Sequence, residues 1–199
     1  MTLLNKGKQE MKLKLIDTSI QLFDRKGYIE TSVQDIVEAI GVTKGTFYYY
    51  FKSKQEVLSS ICLVYIEGLI QQQEIIINQM NKTNIDKLHD IVLLLIEDIG
   101  LERQSARIFF REMRNFTETD LKHIKVKREE FRLNVQKLVQ AGIANGEFKE
   151  DLAADITTLA ILGITNWSYY WYTPEGGVSE KELTEIYVDF ILNGIKKND

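Results

Sequence analysis

One proline, Pro174, in 199 residues leaves almost nothing to interrupt a helix. Proline removes a backbone donor and clashes with the preceding turn, so its near absence permits long continuous helical windows. In those windows apolar residues recur at i, i+3, i+4 and i+7, the spacing of one helix face. With 44% hydrophobic residues the chain can cover such faces with a core. The expectation is an all-α protein of about nine helices. An N-terminal three-helix domain is expected over residues 1–54 and a C-terminal helical domain over residues 55–199.

Residues 31–54, TSVQDIVEAIGVTKGTFYYYFKSK, carry the most specific local signals. Thr31 and Ser32 can accept from the free N–H groups of an opening turn, and Asp35 adds negative charge where the helix dipole favours it. Val33, Ile36, Val37 and Ile40 then form one apolar stripe. Gly41 stops the helix, Val42 plugs the turn, and a second helix starts at Thr43. Phe47, Tyr50 and Phe51 face inward, which leaves Thr43, Lys44, Gly45, Tyr48 and Tyr49 outside or at the edge. Hydroxyls, a cation and a residue with no side chain suit a phosphate backbone. The elements are those of a helix-turn-helix, whose second helix enters the major groove, and equally those of a plain helical hairpin.

The wording separates the two. GVTKGTFYYYFKSKQEVL resembles the hallmark segment of the TetR family of transcriptional regulators, with Gly41, Val42, Thr43, Gly45, Tyr48, Tyr50, Phe51 and Lys54 at the matching places. Upstream, LIDTSIQLFDRKGYIETS matches the family's first helix, ending at Phe23, Gly27 and Tyr28. About fifty residues are covered. Val37 and Ile40 depart from it, standing where the family often has Ala. The resemblance implies a homodimer on palindromic operator DNA, and contacts from Thr31, Ser32, Thr43, Lys44, Gly45, Tyr48, Tyr49 and Lys54.

A net charge of −4 is unusual for a DNA binder, but it is unevenly distributed. Up to Lys54 there are nine cations and six anions, so the head is basic and the body acidic. Local phosphate attraction is thereby combined with a soluble bulk. The single cysteine, Cys62, excludes an internal disulfide, fits a reducing cytoplasm and reads as core. The opening MTLLNKGKQEMKLK lacks a signal-peptide core and no long apolar run is present, so the expected location is cytoplasmic, with no membrane partner. His89 and His123 have no ligand-spaced neighbours, so no metal is expected. No nucleophile with His and acid partners or phosphate-cradling Gly loop is legible, so neither catalytic residues nor a cofactor is expected.

The first helix is expected over residues 6–26, with Leu13, Ile16, Ile20 and Phe23 packing on the helix-turn-helix. Its start, Lys6, Lys8, Lys12 and Lys14, reads either as a phosphate contact or as solvated charge. From Ser53 a long helix continues through Leu58, Ile61, Tyr65 and Leu69 to about Gln79, roughly 37 Å at 1.5 Å per residue. Its Gln71, Gln72 and Gln73 read as a solvated face. Further helices are expected over residues 85–99, 102–115, 118–145, 152–172 and 179–196. The eighth is apolar nearly all round, so it should be covered by protein on every side. The last two helices can pair with their copies in a second chain.

The helix over residues 102–115 sets Arg103, Arg107, Arg111 and Arg114 along one edge, beside Ala106, Phe109, Phe110 and Met113. It fits an ordinary amphipathic helix with solvated arginines. It also fits cations holding an anionic ligand head while the aromatic face meets its tail. Near the C-terminus, ILGITNWSYYWYTPEGGVSEKELTEIYVDFILNGI resembles the TetR-type regulators of fatty-acid and sterol degradation that respond to acyl-coenzyme A. That resemblance implies a hydrophobic effector met by Arg103, Arg107, Arg111 and Arg114, with Phe109, Phe110, Met113, Asn166, Trp167 and Tyr170 near it. A drug or other apolar effector, with Glu102 or Glu112 beside Phe109, is the rival reading. A helical thioester-acting enzyme has less support.

Overall fold

The computed structural model describes the backbone of residues 3–101, 103–116 and 118–197, and among these the side chains of all but 3–6, 101, 103, 113, 114 and 120. Among the described residues the architecture is all-α. The helices are α1 (Leu3–Lys26), α2 (Val33–Ile40), α3 (Lys44–Tyr50), α4 (Lys54–Ile77), α5 (Asn84–Leu101), α6 (Arg103–Arg111), α7 (Glu118–Ala144), α8 (Ala154–Trp171) and α9 (Glu180–Ile195). A 3-10 turn, Glu112–Asn115, follows α6, where the sequence reads as continuous α-helix. The lone β-contact described joins Phe148 and Lys196. No described helix is long and apolar enough to cross a membrane, and no three described His, Cys, Asp or Glu residues gather as metal ligands.

The chain divides into two compact units. The first holds residues 1–65 and 104–124, the second residues 66–103 and 125–199. The unit containing the helix-turn-helix thus recruits α6, which a linear boundary after residue 54 assigns to the body. Helix α4 contributes its first half to one unit and its second half to the other.

Within the first unit α1 buries Leu15, Ser19, Leu22 and Phe23. Leu13, expected in that stripe, lies outside it and is exposed. The true stripe turns about Ser19, a polar residue that hydropathy counting passes over; its hydroxyl is satisfied by donating to Leu15 O at 2.7 Å. Cys62 is buried on α4, and that burial pushes its thiol pKa up, so it is an inert core residue.

The second unit has α5 as a central rod, with Leu88, Ile91, Val92, Leu95, Ile96 and Ile99 all buried. Gln73, expected on a solvated face, has no exposed surface: its Nε2 donates to Phe131 O at 3.0 Å, and Asn134 Nδ2 donates to its Oε1 at 3.0 Å. A buried amide needs both groups partnered, and α7 supplies both. Helix α7 ends in a left-handed Gly146, φ 73°, and the chain turns back to bury Phe148 against Gly142.

Helix α8 buries one face only, through Thr158, Ile161, Leu162, Thr165, Ser168 and Tyr169. The three hydroxyls on that face close on their own helix or on a neighbour: Thr158 donates to Ala154 O, Thr165 to Ile161 O, and Ser168 bonds Tyr187. Its other face leaves Ile156, Leu159, Trp167, Tyr170 and Trp171 exposed in the single chain, instead of covered all round. Helix α9 divides likewise, with Leu183, Val188, Ile191 and Ile195 inside and Ile186 and Phe190 outside.

Candidate nucleic-acid interface

Helix α2 opens with a reciprocal cap. The Asp35 N–H donates to Ser32 Oγ at 3.1 Å, and the Ser32 N–H donates to Asp35 Oδ2 at 2.8 Å. Lys26 Nζ lies 2.9 Å from Asp35 Oδ1. The Ser32 hydroxyl first, and the Lys26 ammonium second, hold the Asp35 carboxyl well below the usual carboxylate range. At the other end Gly41 takes φ 70°, and Val42 N–H donates to Val37 O at 2.9 Å. That backbone conformation disfavours a side chain, which is why glycine stands there.

Thr43 then caps α3, accepting from Thr46 N–H at 3.2 Å. Phe47 and Phe51 are buried, whereas Thr43, Lys44, Gly45, Tyr48 and Tyr49 are exposed. Ser32 is exposed too. These six expected DNA contacts therefore lie at the surface of the helix-turn-helix. Two others do not. Thr31 is 1% exposed, and its hydroxyl donates to Gly27 O at 2.8 Å at the end of α1. Lys54 turns inward: its ammonium donates to Tyr28 O at 2.6 Å, Ile29 O at 3.3 Å and Thr31 O at 2.5 Å, and lies 4.2 Å from the Tyr28 ring centroid. Three carbonyls use all three of its donors, and burial lowers its pKa. Both residues shape the turn between α1 and α2.

Lys8 and Lys12, from the basic start of α1 that reads either as a phosphate contact or as solvated charge, approach α3. Lys8 Nζ lies 5.3 Å from the Tyr49 ring centroid and Lys12 Nζ 5.5 Å from that of Phe51. Their i, i+4 spacing was the available signal. Lys6 belongs to the side chains outside the described set.

Helix α6 joins the same unit through two of the expected ligand arginines. Arg107 Nη2 donates to Asp24 Oδ2 at 2.6 Å. Arg111 donates to Phe23 O at 2.5 Å and Asp24 O at 3.3 Å, the last carbonyls of α1, and its Nε donates to Glu112 Oε1 at 2.7 Å. A cation on the orphan carbonyls of a helix C-terminus is favoured by the helix dipole. Phe109 is buried with its ring centroid 5.1 Å from that of Tyr65, and Phe110 is half-buried beside it. Arg103, Met113 and Arg114, with Glu102, fall outside the described side chains. Asn166 is half-buried, whereas Trp167 and Tyr170, each 64% exposed, lie with tilted rings 5.1 Å apart on the outer face of α8 in the second unit. The candidate effector residues thus belong to different units.

A capped helix, a left-handed glycine and a short second helix with outward hydroxyls define a helix-turn-helix DNA-binding protein. The chain belongs to the TetR family of transcriptional regulators. The family described as "Bacterial regulatory proteins, tetR family" matches residues 15–61, and "Tetracyclin repressor-like, C-terminal domain" matches residues 81–195. The chain is 24% identical to the HTH-type transcriptional repressor KstR2 of Mycolicibacterium smegmatis, over 93% of this chain and 90% of that one. The solved structure of the ketosteroid transcriptional regulator KstR2 of Mycobacterium tuberculosis superposes with a TM-score of 0.83 at 22% identity, over 94% of this chain and 95% of that one. AibR, solved with isovaleryl coenzyme A and operator DNA, superposes with a TM-score of 0.81 at 17% identity, over 90% and 97%. At such identities the structural likeness is one of fold.

Proposed function

We propose that the chain is an effector-released transcriptional repressor that binds a palindromic operator as a homodimer. The observation that carries this reading is the exposed face of α3. Thr43, Lys44, Gly45, Tyr48 and Tyr49 stand clear of the core on a helix capped at its start and anchored by Phe47. Two such helices about one DNA turn apart, roughly 34–36 Å, read successive major grooves.

The uncovered faces of α8 and α9 support the dimer. Trp167, Tyr170, Trp171, Ile186 and Phe190 make an exposed apolar surface beside a groove of about 660 Å³ lined by Ala160, Ile164 and Phe190. A patch of this kind on both copies suits an isologous interface.

The proposed effector is a long-chain acyl-coenzyme A, and the genes governed are those of lipid degradation. The likeness to KstR2, a ketosteroid transcriptional regulator, and to AibR, solved with isovaleryl coenzyme A, supports this class. Effector phosphates draw Arg107 and Arg111 off the end of α1, with Arg103 and Arg114 as further cations. Phe109, Phe110 and Met113, on the same stretch as those arginines, are the proposed apolar contacts, whereas Trp167 and Tyr170, on the outer face of α8, are assigned to the dimer. To take operator binding from 99% to 1%, the effector must prefer the released state by about 5.5 kcal/mol.

The test is a polarisation titration of the purified chain on duplex DNA from upstream of its own gene, with and without acyl-coenzyme A. Release by the thioester, and not by free coenzyme A or free fatty acid, is the expected result. DNA binding indifferent to every thioester refutes the effector and leaves the repressor. Failure to bind any fragment specifically refutes both.

A further inference from the structure

Helix α1 is longer than the helix-turn-helix requires. The family match begins at residue 15, yet α1 begins at Leu3, three turns earlier. Residues 7–14 of this extension hold Lys8, Lys12 and Lys14 against a single acid, Glu10. At about 100° per residue, Lys8 and Lys12 share one face, whereas Glu10 and Lys14 fall well away from it.

The structure shows which face that is. Lys8 and Lys12 reach over the rings of Tyr49 and Phe51, so both ammonium groups stand beside the reading helix while their side chains stay exposed. Among the described residues neither lysine is in an ion pair with a carboxylate, in contrast to Lys26, Arg107 and Arg111 of the same unit. Lys8 also meets the Tyr49 hydroxyl, and neither a neutral hydroxyl nor a ring cancels the positive charge, which stays available to a phosphate.

We propose that the N-terminal extension of α1 is a second DNA-contacting surface, gripping the sugar-phosphate backbone beside the groove occupied by α3, with Lys8 and Lys12 as its phosphate contacts. This rests on the DNA-reading function above and adds to it a sequence-independent clamp. Charge carried on a helix and paired with phosphates positions the protein without reading bases. Its signature is a salt dependence, because each phosphate neutralised releases condensed counterions.

The experiment measures the affinity of the full chain for duplex DNA from upstream of its own gene across a salt series. Lys8→Ala, Lys12→Ala and Lys14→Ala are compared with the unaltered chain, each with its thermal melt. The logarithmic salt slope is expected to flatten by about 0.9 for every phosphate contact removed by Lys8→Ala or Lys12→Ala. Discrimination between the specific fragment and a scrambled duplex stays unchanged, Lys14→Ala leaves the slope as it was, and Lys8→Arg restores it. An unaltered slope in both Lys8→Ala and Lys12→Ala overturns the proposal while leaving the repressor intact. An equal flattening by Lys14→Ala also overturns it, since net charge then explains the effect without the geometry. An unaltered chain that binds no duplex overturns the clamp and the repressor together.

Discussion

Arg111 bridges α6 and the end of α1, and its removal has a calculable cost. Arg111→Ala takes donors from Phe23 O and Asp24 O and leaves Glu112, 4% exposed, with Asn115 Nδ2 at 2.6 Å as its remaining described hydrogen-bond partner. Breaking a fully buried ion pair from one side costs about 3–5 kcal/mol, because the surviving charge stays out of water. The Arg111 side chain is 39% exposed, so water replaces part of what it provided, and the expected loss is about 2 kcal/mol. That is roughly a thirtyfold fall in the folding equilibrium constant at 1.4 kcal/mol per tenfold. Urea unfolding followed by circular dichroism should show a lower midpoint at unchanged slope. In Arg111→Ala/Glu112→Gln the stranded carboxylate is gone, so about 1 kcal/mol should return as coupling between the two positions. A midpoint unmoved by Arg111→Ala, or strictly additive losses in the double variant, would refute the bridge.

Four further outcomes are expected. The Asp35 carboxyl has a depressed pKa in the fold, so its stabilisation is present above the ordinary carboxylate pKa of about 3.9 and is lost as pH falls through the folded value. Thermal melts in acid should therefore fall less steeply for Asp35→Asn. A Cβ at Gly45 would meet only Thr43 Oγ1 at 3.5 Å, and alanine is the better helix former. Gly45→Ala should raise stability by up to about 1 kcal/mol while weakening operator binding, a split that melting and polarisation assays read separately. At Gly142 a Cβ would stand 2.3 Å from the Phe148 ring, so Gly142→Ala should destabilise by about 1–3 kcal/mol in urea titrations. Phe190→Asp, on the exposed face of α9, should shift sedimentation from dimer to monomer with secondary structure retained.

Local signals made the helix-turn-helix readable. The Ser32 and Thr43 caps, the Gly41 stop and the stripe through Ile36 and Val37 depend on neighbours within four residues, and all are found in the structure. Polar residues with distant partners were harder to read. Thr31 and Lys54 look like phosphate ligands in the sequence, but their partners are carbonyls of residues 27–31 within the same turn region. Gln73 sits in a glutamine run and finds its partners some sixty residues on, at Phe131 and Asn134.

By itself the sequence determined the helical class, the approximate helix boundaries and the six-residue face presented by α3 with its approach. Each of these rests on backbone preference, capping and a 3.6-residue period, all of which are short in range. Only the tertiary structure decided the partners of the long cations. It set Arg107 and Arg111 on the end of α1, Lys54 among three carbonyls, and Lys8 and Lys12 over the rings beside α3. A long flexible cation can reach in several directions from the same backbone position, and which acceptor it meets depends on packing between elements far apart in the chain.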